Sequence, residues 1–323
     1  MAKVRRRRFL QGATALCGSA LLGSGPARPG EPPSSPLGRF KLGAISDGFA
    51  QDFEEALQIM KGYGLEWVEI RNVWGIYNTE ASPAQIARLK ELLAKYEFKV
   101  SVVDTALFKC ALPGTKLAAD SKDVYSYAEQ MDLLKRASDR AHSFGTDKLR
   151  GFTFWRVAEP ERLYPRIAEE IERAADVARR AGVRLVLEDE GSCNVGTGRE
   201  LALLLKHVAA SNVGVNWDVG NGCWQGEAPF PRGYEALPKQ RLWHLHVKGV
   251  ECASGFKDCR ETLADQGQID LLGQFRALVR DGYQETISLE CEFAAPGLSH
   301  QETTRRSLEG LLKILAQAGN RRV

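Results

Sequence analysis

The sequence predicts an α/β protein in which eight parallel strands close into a (β/α)8 barrel, and two observations support this fold class. From Phe40 onward, short apolar runs alternate eight times with helix-length amphipathic segments over roughly 280 residues, which is the pattern of a β/α barrel. Several of these runs end in Glu, Asp or His instead of a neutral turn residue. An open doubly wound sheet is the alternative, but no Gly-x-Gly-x-x-Gly sequence follows the first strand, which argues against a dinucleotide fold.

The predicted strands are short and apolar, as expected of strands that are buried on both faces of a parallel sheet. In chain order they cover residues 41–45, 67–70, 99–103, 148–154, 183–188, 213–218, 243–248 and 286–290. Helical segments lie between them. The sequence Ser-Pro-Ala-Gln at 82–85 combines an N-cap serine, a first-turn proline and a glutamine three residues after the serine, and it leads into a helix over 86–96. Other helices are predicted over 159–181 and 271–280, each followed closely by a glycine.

Composition indicates an ordinary globular protein without a general affinity for nucleic acid. The chain has 323 residues, of which 44% are hydrophobic and 26% are charged, so one large domain with a sizeable core is the simplest organisation. The formal net charge is +3, and part of it lies in the four arginines at 5–8. Without that segment the surface is near neutral, so we expect no attraction to nucleic acid or acidic membranes.

The amino terminus resembles a twin-arginine export signal. Arg7 and Arg8 directly precede Phe9, and a short, mildly apolar stretch and then small residues follow. We expect residues 1–27 to be a signal peptide read by the twin-arginine translocase, 28–38 to be a disordered lead-in and 39–323 to be the barrel domain. The protein would then be periplasmic or secreted, with no stable membrane anchor because the apolar stretch is too short. A disordered basic tail is the alternative interpretation.

Six cysteines remain outside the predicted signal peptide, without the spacing of a zinc site or a small disulfide scaffold. We expect free thiols, because a twin-arginine substrate folds first in a reducing cytosol. A bridge between Cys252 and Cys259 within one loop is the alternative.

Four strand ends carry groups that bind metals. Glu188 and Asp218 end the fifth and sixth predicted strands, His244 and His246 lie near the end of the seventh, and Glu290 ends the eighth. Because the carboxyl ends of parallel strands meet at one face of a barrel, the expected position of an active site, these side chains should converge. A Glu, Asp, His, Glu set suits a hard-to-borderline divalent cation, so we predict a metal enzyme.

Several phrases, taken together in this order, resemble one family. They are Gly-Leu-Glu-Trp-Val-Glu-Ile at 64–70, Leu-Val-Leu-Glu at 185–188, Asn-Trp-Asp-Val-Gly-Asn at 216–221, His-Leu-His-Val-Lys at 244–248, Gly-Gln-Ile-Asp at 267–270 and Leu-Glu at 289–290. The set is similar to the sugar phosphate isomerase/epimerase superfamily, the xylose isomerase-like TIM barrels, from Phe40 to the end. The resemblance implies four metal ligands, Glu188, Asp218, His246 and Glu290.

Three carboxylates and one imidazole favour Mn²⁺, with Mg²⁺, Co²⁺ or Zn²⁺ as alternatives. Glu188 and Glu290 would serve as base and acid in a proton transfer through an enediolate. Six side chains near the strand ends are candidates for binding substrate: Arg71, Trp74, Asn221, Trp224, His244 and Lys248. A buried salt-bridge cluster with Lys248 and Arg71 is the structural alternative to a metal site.

The predicted function is a metal-dependent isomerase or epimerase. Export favours a free sugar or keto-sugar as substrate over a phosphorylated metabolite. A lyase or hydrolase of 3-keto-glycosides that uses the same metal site is one alternative, and a non-catalytic sugar-binding barrel is another. Related apurinic endonucleases need additional histidines, and this chain has five in all. A homo-oligomer is compatible with the sequence.

Three positions depart from the pattern of the ketose 3-epimerase branch. Asn221 stands where the family often has His, Gly249 replaces the usual acid after His-x-Lys, and Asn194 replaces a second Glu. These differences argue against a simple ketose 3-epimerase and leave the four predicted ligands intact.

Overall fold

A computed structural model describes residues 40–319, and its centre is an eight-stranded parallel sheet. The (β/α)8 prediction is therefore confirmed. The strands are β1 Lys41–Ala44, β2 Trp67–Ile70, β3 Lys99–Leu107, β4 Lys148–Gly151, β5 Arg184–Glu188, β6 Val213–Asp218, β7 Leu242–Val247 and β8 Thr286–Leu289. Two bounds differ from the prediction by several residues. The third strand continues four residues further, and the fourth ends early, before Phe154 takes a positive φ of 61°.

The sheet closes into a barrel between its first two strands. Hydrogen-bonded neighbours follow the order β1-β8-β7-β6-β5-β4-β3-β2, and a parallel bridge from Ile45 to Glu69 joins the two ends. At Gly43 the approach of β2 leaves no space for a side chain, because a Cβ there would lie 2.7 Å from the carbonyl oxygen of Trp67. Glycine at this position therefore permits the closure.

Within the described residues, eight α-helices surround the barrel, and their apolar faces cover the strands. They are α1 Phe53–Gly62, α2 Pro83–Tyr96, α3 Gln130–Phe144, α4 Tyr164–Arg180, α5 Gly198–Leu204, α6 Tyr234–Ala236, α7 Leu271–Arg280 and α8 His300–Gly319. The capping box predicted at the start of α2 is present, since Ser82 and Gln85 each accept a hydrogen bond from the backbone N–H of the other. Within residues 40–319, none of the helices is both long and apolar enough to span a membrane.

Two antiparallel hairpins extend from the carboxyl end of the barrel. The first pairs Asn72–Val73 with Ile76–Tyr77 after β2, and the second pairs Gly249–Ala253 with Lys257–Thr262 after β7. We call the second one the β7 hairpin. It stands next to the strand ends from which the predicted ligands project.

A disulfide joins Cys252 to Cys259 across the β7 hairpin, so the expectation of free thiols is wrong for this pair. The antiparallel register places Glu251 opposite Arg260, and the residue on the turn side of each is a cysteine, Cys252 after Glu251 and Cys259 before Arg260. Seven residues of separation with a turn between them are enough for the bridge. The other cysteines among the described residues are buried and unpaired: Cys110, Cys193, Cys223 and Cys291.

We predict that Gly43→Ala destabilises the fold by about 1–3 kcal/mol, because the added methyl group would push β1 away from β2. Gly62→Ala is the matched control, since a Cβ at the end of α1 meets no atom within 4 Å. Urea unfolding of both variants measures the difference. Equal stability of Gly43→Ala and the wild type would show that the contact between β1 and β2 accommodates the methyl group without loss of stability.

Candidate metal centre

The four predicted ligands meet at the carboxyl end of the barrel. One ligand atom from each of Glu188, Asp218, His246 and Glu290 can be chosen so that all four atoms lie within 4.8 Å of one another, and all four residues are buried. The structure thus brings together the set that the sequence indicated.

Strand register explains the convergence. Asp218 of β6 lies opposite His246 of β7, and His246 lies opposite Ser288 of β8. Glu290 is two residues beyond Ser288, and because side chains alternate along a strand it projects to the same face. The residue pairing also puts Glu188 beside Asn216, two residues before Asp218. Neighbouring strands therefore place their predicted ligands at nearly the same height along the barrel axis.

The ring of His246 is oriented by Glu69 of β2. Its Nε2 lies 2.9 Å from Glu69 Oε1, while Nδ1 faces the three carboxylates at 3.3 Å from Glu188, 3.6 Å from Glu290 and 3.9 Å from Asp218. Carboxylate partners on the far nitrogen commonly fix the tautomer of a metal-binding histidine. Glu69 therefore directs Nδ1 at the site. Sequence reasoning gave Glu69 no role, although it lies within one of the family phrases.

His244 lies beneath the site. Its Nε2 is 2.7 Å from Glu69 Oε2 and its Nδ1 is 2.8 Å from Thr286 Oγ1, so both ring nitrogens are occupied. The side chain is fully buried. Substrate binding by His244 stays a prediction, and the contacts that the structure gives its ring are with Glu69 and Thr286.

Three cations lie among the ligand carboxylates. Lys248 Nζ is 2.7 Å from Glu290 Oε2 and 3.1 Å from Asp218 Oδ2. Arg71 Nη1 lies 3.0 Å from Glu290 Oε1, and Arg150 Nη1 lies 3.1 Å from Glu188 Oε2. The sequence analysis did not single out Arg150. Its position inside the short buried strand β4 could have indicated that it has a buried acidic partner.

The donor set fits a divalent cation better than a closed salt-bridge cluster. Within residues 40–319, the buried oxygens Glu188 Oε2 and Asp218 Oδ2 accept no well-directed hydrogen bond, although Arg150 and Lys248 each approach to 3.1 Å. Buried polar atoms normally find a partner, so these two oxygens point to a missing one. Three carboxylates and one imidazole match the preferences of Mn²⁺, Mg²⁺ or Zn²⁺.

The charges of these groups follow from their neighbours. Burial raises the pKa of Glu290, but Lys248 and His246 outweigh that effect and hold it well below its ordinary value. Burial also raises the pKa of Glu188, but Arg150 and His246 together outweigh it and the pKa is lowered. Burial raises the pKa of Asp218 to about 7 in spite of Lys248. Two carboxylates are therefore ionised at neutral pH, and a bound cation would favour ionisation of the third.

The remaining candidates for substrate binding lie in different places. Asn221 borders the site, where its side-chain NH₂ donates to the carbonyl of Asp189 at 2.9 Å. Arg71 is held between Asp47 and Glu290, with two 3.1 Å contacts to Asp47. Trp74 packs against the hydrophobic core, in the turn of the first hairpin. Packing is thus the role that the structure gives Trp74.

Trp224 lies on the rim of a cavity of about 670 Å³ that opens over the strand ends. Lys248 and Asn221 also line this cavity, together with Glu190, Glu261 and Glu292. The cavity therefore adjoins the four ligands through Lys248, which contacts Glu290 and Asp218.

The family model described as Xylose isomerase-like TIM barrel matches residues 57–314. The chain belongs to this family. Solved structures of similar fold include the probable 3-DHS dehydratase AsbF from Bacillus anthracis, which is 16% identical with a TM-score of 0.64 over 84% of this chain and 98% of that one. An L-ribulose 3-epimerase is 17% identical, with a TM-score of 0.63 over 86% and 95% of the two chains.

A third structure is a xylose isomerase-like TIM barrel protein from Mycobacterium smegmatis in complex with magnesium. It is 17% identical, with a TM-score of 0.62 over 87% of this chain and 98% of that chain. At these identities the likeness establishes the xylose isomerase-like fold alone. No curated protein matches the sequence.

We predict that Asp218→Ala abolishes stoichiometric metal binding, because it removes one of four converging ligands. Elemental analysis of protein expressed with added manganese should give one divalent ion per chain for the wild type and a value near zero for the variant. Glu190→Ala is the control, since Glu190 lines the cavity and contributes no ligand. Unchanged metal content in Asp218→Ala would show that the ion is held elsewhere.

We predict that Glu69→Gln weakens Mn²⁺ binding by about 10- to 100-fold, because an amide no longer fixes the orientation of His246. The matched control is Glu66→Gln, an exposed position just before β2. Calorimetric titration with Mn²⁺ gives both dissociation constants. If the two variants bind alike, the contact between Glu69 and His246 has no influence on the metal.

Proposed function

We propose that this protein is a metal-dependent sugar isomerase or epimerase that acts by proton transfer through an enediolate. The observation that carries the proposal is the convergence of two buried carboxylates, Glu188 and Glu290, with two further ligand-type side chains next to a cavity. The pKa of each of the two carboxyl groups is lowered by the cations beside it. General acid/base chemistry needs groups of this kind within reach of the substrate carbon. The isomerase and epimerase interpretation is consistent with membership of the xylose isomerase-like family.

The residues that would hold the metal are Glu188, Asp218, His246 and Glu290, and Mn²⁺ is favoured because the set is rich in oxygen. When bound, a divalent cation would polarise the oxygens of the substrate and acidify the carbon-bound proton between them. The magnesium complex of the related barrel supports a divalent ion in this family.

The two carboxylates project from β5 and from the end of β8, on different sides of the barrel mouth. In the proposed reaction one of them removes the proton from the substrate carbon and the other returns a proton. Arg150 beside Glu188, and Arg71 beside Glu290, hold these groups ionised and in place. Lys248 has three donor hydrogens and contacts both Asp218 and Glu290, so it can also donate to a substrate oxygen.

A non-phosphorylated sugar or keto-sugar fits the cavity better than a sugar phosphate. Three carboxyl side chains line it, Glu190, Glu261 and Glu292, against one basic side chain, Lys248. Carboxylates repel a phosphate group and accept hydrogen bonds from sugar hydroxyls. This polarity agrees with the export predicted from the amino terminus.

We predict that Glu290→Gln lowers the rate of proton transfer by about 10²- to 10⁴-fold, because the amide keeps the volume and one acceptor oxygen but cannot carry the proton. The assay is incorporation of solvent deuterium into a panel of ketoses and keto-sugars by the manganese-loaded protein. Glu66→Gln is the control, an exposed position just before β2 and outside the cavity lining.

Wild-type protein that exchanges no sugar hydrogen in the panel would contradict the proposed function. Exchange by Glu290→Gln near the wild-type rate would instead make Glu290 a ligand only and leave Glu188 as the base.

We also propose that the protein is exported to the periplasm. The signal at residues 1–27 and the lead-in at 28–38 lie outside the described residues, so this proposal rests on the arginine pair before Phe9. We predict that Arg7→Lys with Arg8→Lys blocks export, whereas Arg5→Lys with Arg6→Lys does not. Fractionation and immunoblotting measure the periplasmic share, and export of the first double variant at the wild-type level would contradict the twin-arginine route.

A further inference from the structure

A cavity adjoins the candidate metal centre, and none of the four ligand-type side chains belongs to its lining. Its volume of about 670 Å³ lies in the range of roughly 300–1,000 Å³ that is typical of sites for drug-sized ligands. It extends from Lys248, which contacts the ligand carboxylates, to Trp224 and Phe293. A ligand with one part at the metal centre leaves the outer part of this space to be filled.

Trp224 forms an open and pre-positioned wall of the outer part. Its indole N–H donates to the carbonyl of Cys259 at 3.1 Å, yet 42% of the residue is exposed. Cys259 is in turn fixed to Cys252 by the disulfide of the β7 hairpin. Among residues 40–319, the other large apolar residue that is exposed is Val124. A fixed aromatic face offers contact area at little cost in conformational entropy.

Glu261 lies between the outer part of the cavity and the metal centre. It belongs to the β7 hairpin, where Oε2 accepts the backbone N–H of Glu292 at 3.0 Å and Oε1 lies 3.9 Å from Lys248 Nζ. Burial raises its pKa to about 7, although Lys248 opposes this shift. Glu261 is outside the four-ligand set. Its carboxyl group is therefore available for a hydrogen bond with a ligand that spans the two parts.

We propose that the outer cavity is a subsite for a second, uncharged sugar residue, so that the substrate is a glycoside with one ring at the metal centre and the next ring stacked on Trp224. Glu261 would accept a hydrogen bond from a sugar hydroxyl next to the glycosidic bond, between the two rings. A polar wall with aromatic faces suits a sugar, since hydroxyls need hydrogen-bond partners and the C–H face of the ring packs on an indole. This inference rests on the proposed function, because it takes the reacting ring to lie at the metal.

The test compares the binding of one ring with the binding of two. Dissociation constants of glucose, cellobiose, maltose and trehalose are measured by NMR saturation transfer on protein loaded with diamagnetic Mg²⁺. We expect at least one disaccharide to bind about tenfold more tightly than glucose, and Trp224→Ala to remove that difference without changing the affinity for glucose. Val124→Ala is the control for loss of an exposed apolar side chain, and it should retain the preference.

A second pair of variants tests the junction. Glu261→Gln should weaken the preferred disaccharide several-fold, whereas Glu251→Gln, on the facing strand of the same hairpin and outside the cavity lining, should not. Equal affinity for all four sugars, no binding of any of them, or an unchanged preference in Trp224→Ala would overturn the subsite.

The deuterium assay separates this inference from the proposed function. A preference for two rings that depends on Trp224, without hydrogen exchange in any sugar, would contradict the isomerase or epimerase and retain the subsite. Hydrogen exchange in monosaccharides, without any preference for disaccharides, would contradict the subsite and retain the enzyme.

Discussion

Carboxylates buried at the mouth of the barrel remain ionised because cations lie among them, and the rest of the site depends on this balance. Arg150 contacts Glu188, Arg71 contacts Glu290, and Lys248 contacts both Glu290 and Asp218. Unpaired charges are costly in a protein interior, so the acids could not be gathered here without these partners. Two carboxylate oxygens, Glu188 Oε2 and Asp218 Oδ2, nevertheless accept no well-directed hydrogen bond from these cations. Both oxygens could therefore coordinate a divalent ion.

Local pattern was sufficient to predict the barrel and the converging ligands. Alternating apolar runs and helix signals located the eight strands, and the parity of residues along β7 put His244 and His246 on one face. This alternation could not show which of the two histidines lies at the level of the predicted metal ligands. Their different roles depend on Glu69, which reaches them from β2 and is about 175 residues away in the chain. Contacts of this kind exist only once the barrel has closed.

The β7 hairpin accounts for other features that the sequence pattern did not reveal. Gly249 stands where the family resemblance leads one to expect an acid, and in the folded chain Glu261 of the facing strand lies 3.9 Å from Lys248. A strand that folds back can thus supply a carboxyl group that the linear motif lacks. The disulfide was only the alternative to free thiols for a related reason, since the antiparallel register that brings Cys252 to Cys259 is not visible in their spacing alone.

Under the proposed export, the bridge between Cys252 and Cys259 would divide the maturation of the protein into two stages. The four predicted metal ligands lie on or directly after barrel strands, and none of them is a thiol. In a reducing compartment the chain could bind its metal while Cys252 and Cys259 are still thiols. The carbonyl of Cys259, which accepts the hydrogen bond of Trp224, would then not be fixed by the disulfide. Protein prepared in the cytosol and protein collected after oxidation would then contain the same catalytic apparatus and differ in the wall that faces the substrate.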